Sequence, residues 1–449
     1  MYATINPYNN SLVQSFSLDS LPDVELSYTA FRYWRALSFA ERNAQLQRVA
    51  DLLNKQKEQF AALITLEMGK PIRESVYEIE KTITAFDYYL AQAEAILQPE
   101  MVESNASKSY IRYDPMGVLF SIMPWNFPFW QVFRFAVPAL VSGNVTILKH
   151  APNVPQCARA IENLFHESGI QDGVFKNYFL SNEDAARLIA DKRIVGLSFT
   201  GSDATGSKLA EMAGRHIKKC VMELGGNDAF IVLADADVAA ALEGAVKSRS
   251  INSGQACNGA KRFVVVPEVA NEFTEKLIAA VQSLTVGNPL EAKTQIGPLA
   301  RPDLAEKVNK QVAQSIADGA QAHWGAELPQ TAGNFVRPVV LTDVKPGVLS
   351  FHEELFGPVW SIIAAKDEHD AVALANQSDF GLAASVWTAD LTKAEQLAAE
   401  LEVGNVFIND VVKSDVRLPF GGIKRSGFGR ELSAYGLKEF VNIKTVYLR

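Results

Sequence analysis

VLFSIMPWNFPFWQVFRFAVPALVSGNVTILKH, residues 118 to 150, is the stretch on which the fold turns. A β-rich run, VLFSIM, stops at Pro124; an apolar helical run, FWQVFRFAVPAL, follows Pro128; a second β-rich run, VTILK, ends at Lys149. Strand, helix and strand in that order form a βαβ unit, which calls for a parallel sheet. The same stretch is the longest apolar region of the chain, but Pro124, Asn126, Pro128, Arg134 and Asn144 interrupt it. Those breaks are incompatible with a membrane span and mark it as buried protein.

The alternation continues outward through RIVGLSF before Thr200 and AFIVL at 229–233, then RFVVV (262–266), PVVL (338–341) and SIIAA (361–365). Two α/β domains are therefore expected, with the boundary at Gly225-Gly226. Upstream, the first hundred residues read as helical. Ser38 and Glu41 make an S-x-x-E capping box ahead of Leu46, Val49, Leu52 and Leu53 at helical spacing, and a second run from Ile72 to Leu97 follows Pro71. FVNIKTVYL at 440–448 reads as an edge strand, which predicts pairing with another subunit.

A length of 449 residues exceeds what one core usually supports, in line with two domains. A net charge of −8 without a long Lys/Arg block excludes a general attraction to nucleic acid or anionic membrane. Three cysteines and six histidines lack metal-ligand spacing and form no disulfide framework, so any special cysteine is special as a thiol. The opening MYATINPYNNSLVQ has neither a basic start nor an apolar core, so a cytoplasmic location is the expectation.

Four segments carry polar groups suited to chemistry. Cys257 lies in INSGQACNGAKRF among small and polar neighbours, although a free cysteine is more often a small buried hydrophobe. Cys157 and Cys220, in apolar runs, fit that blander role better. Glu223, in CVMELGG, is either a turn acid or a general base at the mouth of a sheet, where glycines let substrate approach. Asn126 is fenced by Pro124 and Pro128; its amide either closes a turn or is preorganised for an oxyanion. FTGSDATG (199–206) follows a strand-like run, and Ser202 at the helix start is either a plain cap or a phosphate contact.

Taken in order, PWNFP (124–128), Lys149, FTGSDATG, MELGG (222–226), GQAC (254–257), EELFGP (353–358) and PFGGIKRSGFGRE (419–431) resemble the aldehyde dehydrogenase superfamily. The resemblance implies an α/β fold with a Rossmann-like cofactor domain (1–101 and 118–225), an α/β catalytic domain (226–430) and a small β oligomerisation arm (102–117 and 431–449). It implies Cys257 as nucleophile, Glu223 as general base and Asn126 as oxyanion donor. Trp125, Lys149, Gly201, Ser202, Leu224 and Glu354 match cofactor contacts, with Phe356 beside the nicotinamide. Such an enzyme needs no metal. A thiolate adds to the aldehyde carbon, the nicotinamide takes the hydride, and water activated by the carboxylate hydrolyses the thioester.

Arg134 lies in an apolar helical run, where a guanidinium costs free energy unless paired, either with a carboxylate across the domain or with substrate. Its position resembles that of a carboxylate-binding arginine of succinate-semialdehyde dehydrogenases, and KHAP (149–152) looks like their short bacterial members. The second such arginine would fall at Ile251; Arg249 or Ser414 is expected to compensate. Succinate semialdehyde is thus the expected substrate, ahead of another small aliphatic aldehyde. A CoA-acylating route, which needs no water-activating base, is disfavoured by Glu223. Pro152 stands where NAD-preferring relatives often carry a ribose-binding glutamate, so NADP is at least tolerated beside NAD, unless Pro152 simply starts a helix. A homodimer or homotetramer is expected.

Overall fold

The computed structural model describes residues 2–449. Val118–Met123 is a central strand of a six-stranded sheet, parallel to Val145–His150 on one side and Ile194–Thr200 on the other. Phe175–Asn177 and Lys219–Glu223 extend the parallel sheet outward. Apart from Ile122, the residues of Val118–Met123 and Val145–His150 are buried, because helices cover both faces of a parallel sheet. Strand order reverses beside Val118–Met123, and in doubly wound sheets that switch point opens the ligand crevice at the carboxyl ends of the strands. Pro124–Phe129 emerges there, and the wholly buried helix Trp130–Val141 carries the chain back.

Between Glu223 and Ala229 the chain passes into a seven-stranded sheet. Its inner strands, Ala229–Val232, Arg262–Val265, Val339–Thr342, Val359–Ala364 and Ala383–Trp387, are parallel, and Gln321–Trp324 closes one edge in antiparallel fashion. Each sheet has its own large apolar core. A third, small cluster lies apart from both and joins Trp130, Phe127, Phe420 and Leu382 to Cys257. Val441–Leu448 pairs with Lys108–Pro115, which also pairs with Glu100–Met101, in a separate three-stranded antiparallel sheet.

Two expectations need correction, and one alternative falls away. The N-terminus is not helical throughout: Tyr2–Asn6 and Ser11–Phe16 form a β-hairpin, and helices begin only at Val24. Asn6 accepts from the Tyr8 N–H and Asn10 adopts a left-handed φ of 59°, which makes the reversal. Gly427–Phe428, assigned from sequence to the second domain, adds an antiparallel strand to the first sheet. Only glycine fits at 427, since a Cβ would overlap the Met222 carbonyl. The alternative that Pro152 simply starts a helix is the one that falls away: it sits in a turn, and Pro155 begins the helix Pro155–Glu167. Among the described residues no helix is long and apolar enough to cross a membrane.

Candidate active site

The loop before Cys257 is held in a costly conformation. Asn252, Ser253 and Gly254 are all left-handed, with φ of 53°, 54° and 82°, a geometry that survives only where surroundings enforce it. The Asn252 N–H donates to Glu74 at 2.6 Å, Ser253 Oγ donates to the Gly297 carbonyl at 3.0 Å, and the Gln255 amide bridges the Asn252 carbonyl and the Ala300 N–H at 3.0 Å each. At Gly254 a Cβ would overlap the Gly357 carbonyl. Arg249 clamps this loop from beneath, donating to the carbonyls of Gly254, Leu355 (3.0 Å) and Gly357 (2.7 Å). The expectation that Arg249 replaces a substrate arginine is therefore corrected: it is fully buried and its N–H groups are taken by carbonyls.

Cys257 emerges half-buried from that loop. Asn126 Nδ2 donates to the Gln255 carbonyl at 3.1 Å, and Asn252 Nδ2 donates to the Asn126 carbonyl at 2.8 Å. One amide N–H thus anchors Asn126 and leaves the other for a ligand. The backbone N–H of Cys257 donates to no described residue.

Glu223, the last residue of its strand, is buried and lies close enough to the Cys257 thiol for the two to act on each other's ionisation. Its Oε2 faces Arg134 Nη2 at 3.3 Å, while its Oε1 is buried without a partner. Burial pushes the Glu223 carboxyl up; Arg134 and the thiol pull the other way. Burial also pushes the Cys257 thiol well above its ordinary value; Glu223 adds to that, while Arg134 and Lys261 oppose it. The resting thiol is therefore protonated at neutral pH, and the carboxyl that acts on it is that of Glu223.

Arg134 is paired twice, to Glu223 and, at 2.6 Å, to Glu431. Of its two expected roles the structure displays the pairing with carboxylates. Glu431 is pushed up to about 7 by burial. Ser414, the other residue expected at the substrate, is buried and accepts a hydrogen bond from Lys81 at 2.7 Å.

The residues matched to cofactor contacts converge on the switch-point crevice. Trp125, Gly201, Ser202 and Leu224 follow the carboxyl ends of three neighbouring strands, and Lys149 lies near the end of a fourth. Ser202 caps the helix Asp203–Arg215, whose positive end opens into the same region. From the second domain, Glu354 accepts from the Gly226 N–H at 3.2 Å and pairs with Lys261 at 3.3 Å; Phe356 meets Trp125 edge-on at 5.9 Å. A Cβ on Gly225 would stand 2.6 Å from Glu354 Oε2, so a side chain there would push the carboxylate from its place. Lys149 is buried without a salt bridge among the described residues, and burial lowers its pKa. An unpaired buried ammonium suits an anionic group such as a phosphate.

Sequence reasoning missed several supports. Glu78 accepts from the N–H groups of Phe129 (2.9 Å) and Trp130 (3.1 Å) and pairs with buried Lys70, fixing the start of the helix that carries Arg134. Lys261 donates to the carbonyls of Cys257 and Ala256. Only the four-residue spacing from Cys257 to Lys261 offered a local signal.

A family model described as the aldehyde dehydrogenase family matches residues 1–446. The chain is 47% identical to a probable succinate-semialdehyde dehydrogenase (NADP+) of Synechocystis, covering 99% of each protein. It is 43% identical to the succinate semialdehyde dehydrogenase Sad (NAD(P)+) of Escherichia coli, over 99% of this chain and 97% of that one. It superimposes with a TM-score of 0.97 on the crystal structure of a succinic semialdehyde dehydrogenase from Streptococcus pyogenes in complex with NADP+, at 35% identity and covering 100% of both. The chain belongs to the aldehyde dehydrogenase family. All three of these proteins are named for succinate semialdehyde.

Proposed function

We propose that this protein oxidises succinate semialdehyde to succinate with NADP+, accepting NAD+ as well, through a covalent intermediate on Cys257. The observation that carries the reading is the placing of a buried carboxylate, Glu223, against the thiol of Cys257, with the Asn126 amide anchored beside the same loop. Relatives at 41–47% identity named for this substrate support the choice of aldehyde.

Glu223 takes the thiol proton, and the Cys257 sulfur adds to the aldehyde carbon, giving a thiohemiacetal. Its oxyanion is met by the free N–H of Asn126 and the backbone N–H of Cys257. Lys149, Ser202 and Glu354 would hold the nucleotide, with Trp125 and Phe356 at its reactive end. NADP+, when bound, supplies the oxidising power by accepting a hydride from the former aldehyde carbon. Glu223 releases that first proton to solvent, then removes one from the water that attacks the thioester, and returns it to Cys257 once the sulfur has left as thiolate. Arg134 holds the Glu223 carboxylate in place throughout. In this reading Arg134 and Ser414 lie on the side of the substrate's distal carboxylate.

The reading carries with it a cytoplasmic homodimer or homotetramer. Val441–Leu448 lies at an edge of its sheet and exposes Ile443, Tyr447 and Leu448, and free cysteines suit a reducing compartment. The test is kcat/KM for succinate semialdehyde against neutral, aromatic and cationic aldehydes, with each nucleotide. A clear preference for succinate semialdehyde with NADP+ is expected; a preference for a neutral aldehyde would overturn the assigned substrate.

A further inference from the structure

Lys81 projects from the long helix Ile72–Ile96 to donate to Ser414 Oγ at 2.7 Å. Its ammonium lies over the Trp130 ring, 4.5 Å from the centroid. Trp130 belongs to the small apolar cluster that also holds Phe127, Phe420 and Cys257. The titratable groups that act on Lys81 are Arg134, Glu78, Cys257 and Asp415, and through Trp130 it borders the cluster that holds the thiol.

The acids around Lys81 are already paired with other cations. Glu78 is bound to Lys70, and Asp415 to Arg417 at 2.6 Å. Arg134, the other cation of this enclosure, stands between Glu223 and Glu431. Lys81 forms no salt bridge among the described residues, and its contacts are a hydroxyl and an aromatic face. Lys81 is partly buried, and an ammonium withdrawn from water without a counter-charge is disfavoured: burial, aided by Arg134, lowers its pKa to about 8. An arriving carboxylate would supply the missing charge, and Ser414 would be its neutral hydrogen-bonding neighbour.

We infer that Lys81 is the cation that selects aldehydes bearing a distal carboxylate, supplying from the long helix the positive charge that Ile251 does not provide. The inference rests on the succinate semialdehyde reading above and adds to it a residue and a class: short ω-carboxylate aldehydes as substrates and short dicarboxylates as competitive inhibitors. Arg134 then acts mainly on Glu223, and Lys81 mainly on substrate.

The test compares wild type, Lys81→Met and Lys81→Arg, each checked for an unaltered circular dichroism spectrum. The quantity read is the ratio of kcat/KM for succinate semialdehyde to that for butanal, together with the inhibition constant of succinate. A hydrogen-bonded charge pair of this kind predicts a fall of about 10- to 100-fold in the ratio for Lys81→Met, carried by KM. Succinate inhibition should weaken in parallel, and Lys81→Arg should recover most of both. An equal loss for the two aldehydes, or an unchanged ratio, would overturn the inference and leave Lys81 a packing residue. A wild-type enzyme indifferent between the two aldehydes would instead overturn the substrate reading, and this inference with it.

Discussion

Arg134 and Glu223 meet at 3.3 Å with both side chains almost sealed from water. Arg134 also pairs with Glu431, so one guanidinium compensates two buried carboxyls. Arg134→Met would leave both acids uncompensated, and stability should fall by about 3–5 kcal/mol in chemical denaturation. The pH dependence has a definite sign. A carboxyl whose folded pKa lies above its unfolded value, as for Glu431 at about 7, binds more protons folded than unfolded, so its contribution worsens as pH rises. The loss in Arg134→Met should therefore be larger at about pH 8 than at about pH 6. A loss under about 1 kcal/mol, in the range of exposed pairs, would contradict this role.

Cys257 and Glu223 titrate against each other. Because burial and the carboxylate both hold the thiol protonated, alkylation by iodoacetamide should accelerate as pH rises above neutrality. Glu223→Gln removes the negative neighbour and should shift that profile to lower pH, while slowing steady-state turnover by about 100-fold or more through loss of the base. A shift to higher pH would mean that Glu223 is not charged beside the thiol.

Gly254 has no substitute. With φ at 82° and the Gly357 carbonyl where a Cβ would stand, Gly254→Ala should displace the Cys257 loop and lower kcat by about 100-fold. The circular dichroism spectrum should stay close to that of the parent. Full activity would show that the loop adapts without moving the thiol.

Under the proposed function Lys149, buried without a salt bridge among the described residues, meets a nucleotide phosphate. Lys149→Met should raise KM for NADP+ by about tenfold, the order expected for one charged hydrogen bond, and by less for NAD+. Pro152→Glu should act in the same direction by setting a carboxylate near a 2′-phosphate. Equal effects on both nucleotides would place Lys149 elsewhere than at that phosphate.

What was legible in the sequence was local. VLFSIM before Pro124 and VTILK before His150 became neighbouring parallel strands, and Ser38 with Glu41 formed the expected capping box. Glu223 before two glycines could be recognised as a strand-end acid, because hydrophobic periodicity stops there. The N-terminal hairpin escaped because YATIN and SLVQSF are short and their turn depends on asparagines rather than glycine. Lys81 and Glu431 escaped for a different reason. Lys81 reaches Ser414 and Arg134 reaches Glu431 across hundreds of residues, and no periodicity encodes such contacts. Arg249 was misread because a buried arginine satisfied by carbonyls leaves no acidic partner in the sequence.

The most direct test of the account is to trap the intermediate. Glu223→Gln protein, mixed with succinate semialdehyde and NADP+ and quenched in acid, should gain the mass of one succinyl group, mapped by peptide analysis to Cys257, with one reduced nucleotide formed per adduct. Cys257→Ala should give neither adduct nor reduced nucleotide. Reduced nucleotide formed by Cys257→Ala, or an adduct on another residue, would contradict the covalent role of Cys257.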